Sequence, residues 1–200
     1  PISQAKESDY GANVGSGSLK DSGLGEIWKK VTNSKKTEFV DMKPYAPSNN
    51  APAMFLGTPV YNNGEFTTVL VFQISDKAIN KVMQFRKGYG ESQEDYLVGR
   101  DNLMRSDSYL NPQDHSLKAS FANPSSGKVD TVATKNALSG KSGTEIIIDY
   151  NENTVLSSYT SVRVGQDLSW AIISEIDEAE VLQVPNSIRK IGRASCRERV

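Results

Sequence analysis

The order of helical and strand patterns repeats along this chain, and this repeat limits the folds open to it more than any other feature. In the first half, apolar residues recur at helical spacing from Leu24 to Val31, and three strand patterns follow. In the second half, a helical pattern is again followed by three strand patterns, with a short hairpin in front. Such an order is typical of α+β modules built on antiparallel sheets. We therefore expect two modules in tandem, the first of them truncated.

Turn-forming residues separate the three strands predicted for the first half, which are 37–42, 54–61 and 65–74. Pro44 and Pro47 exclude a helix between the first two strands, because proline lacks the amide proton that a helix needs. Between the second and third strands, the Asn-Gly pair at 63–64 favours the positive φ angles of a type I′ hairpin. The segment is therefore predicted to be a strand, a turn-rich connection and a hairpin.

The second half begins with a bridging helix that starts at Ser75 or Asp76 and ends at Gly88. A hairpin is predicted from 95–98 and 103–105, and the polar stretch 106–128 is predicted to be mostly loop.

Asp130 is expected to cap the next helix, which Gly140 ends. Strands 144–149, 155–164 and 168–176 and a helical exit segment at 177–184 complete the half. The hairpin and the three later strands predict a five-stranded sheet of the PAS-like type.

These patterns predict a division of the chain. The C-terminal part of one module occupies 1–74, a linker helix 75–90, a second module 91–176 and the start of an exit helix 177–190. The last ten residues, 191–200, match the translation of a sequencing adapter, so we exclude them from the fold. Without them, 20 basic and 23 acidic residues remain, and the chain loses its single cysteine, Cys196.

Composition and charge exclude several classes of protein. The apolar runs are far shorter than the roughly 20 residues of a membrane-spanning helix. Basic residues number 23 and acidic residues 24, which gives no positive surface for a nucleic acid partner. Residues 1–190 contain no cysteine. This excludes a thiolate metal site and a disulfide framework, and it is compatible with an oxidising compartment.

Motifs for catalysis or metal binding are not evident, so we predict no enzyme activity, no metal and no cofactor. His115 lies beside Asp114 in a predicted loop and is interpreted as solvated. The stretch from Ser125 to Lys128 fits a Ser-x-x-Lys pattern without the partner motifs that would support it. The acidic clusters at 91–95 and 175–180 do not match a calcium loop and are interpreted as solvated helix ends.

Several segments resemble the periplasmic double-Cache sensor domain of bacterial methyl-accepting chemotaxis proteins. The most specific is the string Leu-Met-Arg-Ser-Asp-Ser at 103–108, and it is supported by residues 96–102, 155–159 and 170–177. Further segments, at 9–13, 21–24, 44–48 and 51–55, look like the latter part of the membrane-distal module. The resemblance implies tandem PAS-like Cache modules, each an antiparallel sheet flanked by helices.

The resemblance also implies a function, namely the extracytoplasmic ligand-sensing domain of a transmembrane chemoreceptor. The segment would face the periplasm, held to the inner membrane by flanking helices that this chain lacks, in a receptor homodimer. The ligand would be an amino acid, a carboxylate or an amine, with no cofactor. Two alternatives remain open: the same module attached to a histidine kinase or a nucleotide cyclase, and a periplasmic hydrolase, for which no nucleophile and base are evident.

In this family the distal module usually holds the ligand, which the resemblance places between the helix bearing Trp28 and the region from Asp41 to Phe55. The expected ligand-binding residues are Trp28, Asp41, Tyr45, Ser48 and Met54. Aromatic faces can cover an aliphatic or cationic ligand, and Asp41 can pair with an ammonium group.

Arg105 and Asp107 are secondary candidates in the second module. Arg105 could bind a carboxylate, or it could form an internal Arg-Asp pair that stabilises the hairpin.

Overall fold

A computed structural model describes residues 9–183 and 185, which form two antiparallel sheets with short helices packed against them. The first sheet has three strands in the order β1-β2-β3, and the second has four in the order β4-β7-β6-β5. The predicted α+β class with two antiparallel sheets is confirmed. The domain boundaries proposed from the sequence stay a prediction, and the residues interpreted as an adapter lie outside the described part of the chain.

The first sheet follows a helix in the chain, and a capping serine explains where that helix begins. Helix α1 spans Gly23–Ser34, and the Ser22 hydroxyl caps it by accepting from the Gly25 amide. The strands are β1 (Glu38–Tyr45), β2 (Ala51–Asn62) and β3 (Glu65–Ile74), with a 3₁₀ turn at Ala46–Ser48. Asn63 and Gly64 have positive φ angles of 51° and 84°, so the predicted two-residue hairpin is confirmed.

The second sheet is preceded by α2 (Asp76–Met83) and is built with more helical turns than the first. Its elements in chain order are β4 (Glu94–Val98), α3 (Pro112–His115), α4 (Leu117–Ala122), α5 (Val132–Leu138), β5 (Gly143–Ile148), β6 (Thr154–Arg163), β7 (Ser169–Asp177) and α6 (Glu178–Val181).

Three clusters of buried side chains hold these elements together. One packs α1 onto the first sheet through Ile27, Val31 and Phe55. Another packs α5 onto the second sheet through Ala133 and Ala137. The third lies between the sheets and consists mainly of Met42, Met54, Leu97, Leu117 and Trp170. Since this third cluster is apolar and draws residues from both sheets, the sheets are packed together by burial of apolar surface.

The prediction of a fifth strand in the second sheet was wrong. Residues 103–105 make only isolated bridges, between Val98 and Met104 and between Leu103 and Lys128. After the Arg105 amide donates to the Leu97 carbonyl, the Leu97 amide is taken by the Ser106 hydroxyl instead of a backbone carbonyl. The side-chain bond replaces the next rung of the ladder, and the pairing ends there.

Three local predictions were also wrong, the first two because a side-chain cap decided where the helices begin. The stretch predicted to be loop contains α3 and α4, because the side chains of Asn111 and Ser116 cap them. Helix α5 is capped by Thr131 instead of Asp130. Helix α2 ends at Met83, before Gly88, although Gly88 does have the expected positive φ angle. Within the described residues, no helix is long and apolar enough to cross a bilayer.

Candidate sensory site

The expected ligand-binding residues lie in two separate places. Tyr45 belongs to the buried cluster under α1, whereas Met54 belongs to the cluster between the two sheets. Ser48 accepts a hydrogen bond of 3.3 Å from Gln73, whose position opposite Phe55 puts it on the α1 side. Asp41 faces the second sheet. The structure therefore groups Tyr45 and Ser48 on one face of the first sheet and does not bring all five residues together.

On the α1 side, Tyr45 is held in a fixed orientation. Its ring meets the ring of Phe55 edge to face at 5.1 Å, and its hydroxyl donates to Oδ2 of Asp9 at 2.7 Å. Burial, and then the hydrogen bond and charge of Asp9, raise the pKa of this hydroxyl. Trp28, half-buried on α1, covers Gly15 of the preceding loop. Tyr45 thus remains a neutral donor at the base of an aromatic surface.

Asp41 forms the polar centre of the contact between the sheets. Its Oδ1 accepts from Nε of Arg105 at 2.9 Å, and its Oδ2 accepts from Nη2 at 2.8 Å. The indole N–H of Trp170 donates to the same Oδ1 at 2.9 Å. Strand β1 is thereby bonded to the β4 region and to β7. We call Asp41, Arg105 and Trp170 the junction.

Arg105 is only 2% exposed, and all its visible partners are internal. Besides Asp41, it contacts Oδ2 of Asp101 at 3.0 Å, and Nη1 donates to the Leu103 carbonyl at 3.0 Å. Burial lowers the pKa of Arg105, but the bonds to Asp41 and Asp101 outweigh burial and raise it above its ordinary value. A Cβ atom at Gly99 would lie 2.2 Å from the guanidinium, so only glycine leaves room for this cation.

Asp107 acts separately from Arg105. Its carboxylate accepts from Nδ2 of Asn80 and from the amide of Leu117, both at 2.7 Å. Its own amide donates to Oδ1 of Asn80 at 2.7 Å. Asp107 therefore connects α2 to the start of α4.

A small cavity of about 120 Å³ opens beside the junction. Its walls carry both signs of charge. The lining residues are Glu26, Lys30, Glu38, Phe39, Asp41, Lys43, Gly165, Gln166, Asp167 and Leu168. A cavity of this size suits a few waters or a small zwitterion, and Asp41 connects it to Arg105.

The interior of the second sheet holds two glutamates opposite each other. Glu94 on β4 pairs in register with Glu175 on β7, and the two residues are 2% and 3% exposed. The Glu94 carboxylate accepts from the Ser108 and Tyr150 hydroxyls and from the amides of Tyr109 and Leu110. The two glutamates belong to acidic clusters that were predicted to be solvated helix ends. That prediction was wrong for both, because they are buried residues of strands.

Glu175 is satisfied differently, by hydroxyl groups alone. Its Oε2 accepts from Tyr96 at 2.7 Å and its Oε1 from Ser157 at 2.8 Å. Burial raises the pKa of Glu175 to about 7, with smaller contributions from the nearby charges of Asp149 and Glu94. This carboxyl group is therefore poised to titrate near neutral pH.

His115 is a buried residue, so its prediction as a solvated loop histidine was wrong. It ends α3, is 4% exposed, and its ring lies 4.3 Å from the ring of Tyr150. Burial lowers the pKa of His115, although the nearby charges of Asp114, Glu94 and Asp149 favour the charged form. His115 is buried because the Asn111 cap starts α3, which folds this polar stretch against the second sheet.

The carboxylate of Glu180 holds α6 against the start of β4. It accepts from the amides of Glu91 and Ser92 at 2.9 and 2.8 Å, and from the Ser92 hydroxyl. These bonds lower the pKa of Glu180. The same Ser92 hydroxyl accepts from the Asp177 amide at 3.0 Å. We call this set of contacts the α6 latch.

Comparison with known proteins gives the fold a context. No protein-family model matches the chain, and no curated protein matches it. Among solved structures, the periplasmic sensory domain of the Campylobacter jejuni chemoreceptor Tlp1 aligns with a TM-score of 0.58 and 16% identity, over 82% of this chain and 58% of that one.

Two further structures agree with this result. The ligand-binding domain of the Pseudomonas aeruginosa amino acid chemoreceptor PctB, in complex with L-Arg, aligns with a TM-score of 0.52 and 16% identity over 82% of this chain and 59% of that one. The extracellular domain of mmHK1S-Z2, described as a histidine kinase, aligns with a TM-score of 0.54 and 18% identity over 78% and 56%.

The fold is therefore that of periplasmic and extracellular sensory domains, as the resemblance to Cache sensors predicted. These neighbours are described as sensory, ligand-binding or extracellular domains of receptors and of a histidine kinase. This chain spans 56–59% of their length.

Sequence reasoning missed the buried glutamate pair, although a signal for it was present. Glu94 alternates with Tyr96 and Val98 along one strand, and Glu175 with Ile173 along another. Period-two alternation puts these glutamates on the same face as the core residues. The charge of the two glutamates favoured the prediction that they are exposed to solvent. Their alternation with core residues, however, places them in the interior.

Proposed function

We propose that this chain is the extracytoplasmic ligand-sensing domain of a transmembrane chemoreceptor. The observation that carries the proposal is the pair of antiparallel sheets joined at a largely buried ion pair, in a fold shared with solved sensory domains. The domain binds a small molecule and does not catalyse a reaction. It faces the periplasm from the inner membrane and acts in a receptor homodimer.

The ligand is an amino acid, a carboxylate or an amine, and it binds against the α1 side of the first sheet. Trp28 and Tyr45 provide aromatic walls, and Ser48 provides a hydroxyl; the Tyr45 hydroxyl proton is held by Asp9, so its oxygen is available to accept. Tyr45 is supported in this role by its fixed ring and its bond to Asp9. The ligand of the PctB structure, L-Arg, supports this chemical class.

Asp41 and Met54 lie on the opposite face of the first sheet, where they contact the second sheet and transmit ligand binding without touching the ligand. A ligand that favours one packing of this sheet shifts the population of that packing. Asp41 and Met54 belong to the contact with the second sheet, so they pass the shift to Arg105 and Trp170. Moving a two-state receptor from 1:99 to 99:1 takes about 5.5 kcal/mol of differential binding, which a ligand of about ten heavy atoms can supply.

The output is carried by the end of the second sheet. Strand β7 runs directly into α6, whose Glu180 is bonded to the start of β4. A change in how the sheets pack therefore reaches a helix that continues toward the membrane in this proposal. Chemotaxis is the proposed response.

The same sensor attached to a histidine kinase is the second candidate, because the mmHK1S-Z2 extracellular domain shares the fold. A nucleotide cyclase is a further possible output of the same module. The gene sequence downstream of Lys190 distinguishes these outputs, since a methyl-accepting domain, a kinase and a cyclase have different sequences.

A melting-temperature panel tests ligand binding. The chain is screened separately against the twenty L-amino acids, short carboxylates and short amines. A compound at a hundredfold excess over its dissociation constant stabilises the folded state by about 2.7 kcal/mol, and the melting temperature rises accordingly.

Two variants and a control locate the site. Trp28→Ala and Tyr45→Phe should reduce the shift given by the binding compound. Tyr159→Phe removes a hydroxyl that is bonded to Glu145 on the second sheet, so it should leave the shift unchanged. A panel in which no compound raises the melting temperature would contradict direct sensing of these classes.

A further inference from the structure

The buried pair of Glu94 and Glu175 lies next to the α6 latch on both strands. Ser92 lies two residues before Glu94, in the segment that leads into β4, and Asp177 lies two residues after Glu175, at the end of β7. Ser92 and Asp177 are hydrogen bonded to each other, and Ser92 also binds Glu180. The latch therefore lies directly beyond the end of the β4–β7 pair that holds the two glutamates.

No lysine or arginine forms an ion pair with Glu175 or with Glu94 within the described residues. The ionisable or hydroxyl groups around Glu175 are Glu94 and Tyr96 from β4, Ser157 from β6, Asp149 and Tyr150 from the segment after β5, and His115 from α3. Asp177 lies beyond them on β7, and Glu145 of β5 continues the same row of the sheet.

From this arrangement we propose that Glu175, facing Glu94 across the β4–β7 pair, is a proton-binding site whose occupancy controls the α6 latch, so that the domain also senses external pH. The proposal goes beyond ligand sensing, because the proton binds inside the second sheet and the proposed ligand site lies on the first.

The physical basis is repulsion in a buried setting. When Glu175 is ionised, two carboxylates lie opposite each other without a cation, and like charges directly opposite in a sheet destabilise the pairing. When Glu175 takes up a proton, the repulsion is removed, and the carboxyl group can donate to the Ser157 or Tyr96 oxygen. The strand pair should then hold Ser92 and Asp177 more tightly.

The burial of Glu175, which raises its pKa to about 7, puts this change in the neutral range. Glu180 does not interfere, because its pKa lies below its ordinary value and the group stays ionised there. His115 has a lowered pKa, so it charges at lower pH than a free histidine.

Carboxyl ¹³C NMR of the 200-residue chain tests the proton site directly. Glu175 should titrate with a midpoint near 7, and Glu94→Gln should lower that midpoint because it removes the charge of the facing carboxylate. A midpoint for Glu175 in the ordinary range of glutamates, near 4 to 5, would overturn the proposal.

Hydrogen exchange tests the coupling to the latch. The amides of Glu91 and Ser92, which donate to Glu180, should be several-fold better protected at pH 6 than at pH 8 after correction for the intrinsic rate. Glu175→Gln, which resembles the protonated form, should give the protected state at both values. Glu145→Gln is the matched control, since Glu145 lies in the same row but is exposed and should keep the wild-type response.

Equal protection at pH 6 and pH 8 in the wild-type chain would overturn the coupling, as would a response that persists in Glu175→Gln. If Glu175→Gln does not fold, the midpoint shift in Glu94→Gln still decides the proposal. Neither result depends on the ligand panel, so failure of pH sensing and failure of ligand sensing can be told apart.

Discussion

Behind the first sheet, α1 packs Ile27 and Val31 against Phe55, and the main buried polar contact is the hydroxyl of Tyr45 with Asp9. Behind the second sheet, α5 packs alanines onto the strands, and the interior also contains Glu94, Glu175 and His115. Both sheets are covered by a helix, but within residues 9–183 it is the second sheet that encloses several titratable groups. The first sheet is therefore stabilised mainly by apolar packing, whereas the second also encloses hydrogen-bonded polar groups whose charge depends on pH.

Arg105→Ala should have the largest effect, because Arg105 joins the two regions. The change leaves the carboxylates of Asp41 and Asp101 without their cation and empties a buried site. Breaking a buried ion pair costs about 3–5 kcal/mol, so we expect a loss of about 4 kcal/mol in the free energy of unfolding. Denaturant unfolding followed by fluorescence and circular dichroism should show two separate transitions in place of one.

Arg100→Ala is the matched control for this prediction. Arg100 is exposed, and it donates to the Ser169 hydroxyl at 3.2 Å. Its removal should change the unfolding free energy by less than about 0.5 kcal/mol. If Arg105→Ala behaved like Arg100→Ala, the junction would not be what holds the two regions together.

Ile27→Ala tests the apolar region and should rank second. Ile27 is fully buried between α1 and the first sheet, and truncation of such a residue costs about 2–5 kcal/mol. Because no titratable group is removed, we expect the free energy of unfolding to fall by about 3 kcal/mol, and by the same amount at pH 5.5 and at pH 8. A loss that depends strongly on pH would contradict the apolar description of this module.

Glu175→Gln tests the titratable region, and its effect should depend on pH. The pKa of Glu175 is raised by burial from 4.5 to about 7 in the folded state. The contribution of Glu175 to the free energy of unfolding is therefore fully present below pH 4.5 and is lost as the pH rises through 7. Glu175→Gln should add about 2 kcal/mol to the unfolding free energy at pH 8 and little at pH 4.5.

His115 has the opposite effect on the pH dependence of stability. The free energy of unfolding of the wild-type chain therefore varies with pH through both Glu175 and His115. The pKa of His115 is lowered by burial, and a lowered histidine pKa gives stability that is present above pH 6.5 and lost as pH falls through the folded value. The difference between wild type and Glu175→Gln across the pH range isolates the glutamate. A pH-independent difference would show that Glu175 does not titrate as described.

Tyr45→Phe should have the smallest effect on stability. It deletes the hydroxyl that donates to Asp9 and keeps the ring that packs against Phe55. A typical intramolecular hydrogen bond contributes about 0.5–1.5 kcal/mol, and thermal unfolding should show a loss near 1 kcal/mol in the free energy of unfolding. An unchanged melting temperature would indicate that this bond does not hold the loop that carries Asp9.

Local patterns in the sequence were enough to predict much of the fold. The hairpin at Asn63 and Gly64 and the three strands of the second half depend on neighbouring residues, and the structure has them. The helices in the polar stretch were missed, since the caps Asn111 and Ser116 look like ordinary loop residues. Capping residues are the same residue types that form turns, which makes the two hard to distinguish.

The junction could not be predicted, because its members are distant in sequence. Asp41 is 64 residues from Arg105 and 129 from Trp170. No periodicity within one element records such a contact. Asp41 was expected to contact the ligand, and Arg105 was expected either to bind a carboxylate or to form an internal Arg-Asp pair. The tertiary structure gives Arg105 the internal pair, with Asp41 and Asp101 as its partners.

Hydrogen exchange at the amides of Glu91 and Ser92, measured with and without the panel compound that gives the largest melting shift, tests the central claim most directly. If the chain is a sensory domain whose first sheet signals through the junction to α6, the compound should change the protection of these two amides in the wild type. The same compound should still bind Asp41→Asn but leave their protection unchanged. Identical protection with and without the compound in the wild-type chain would contradict the account.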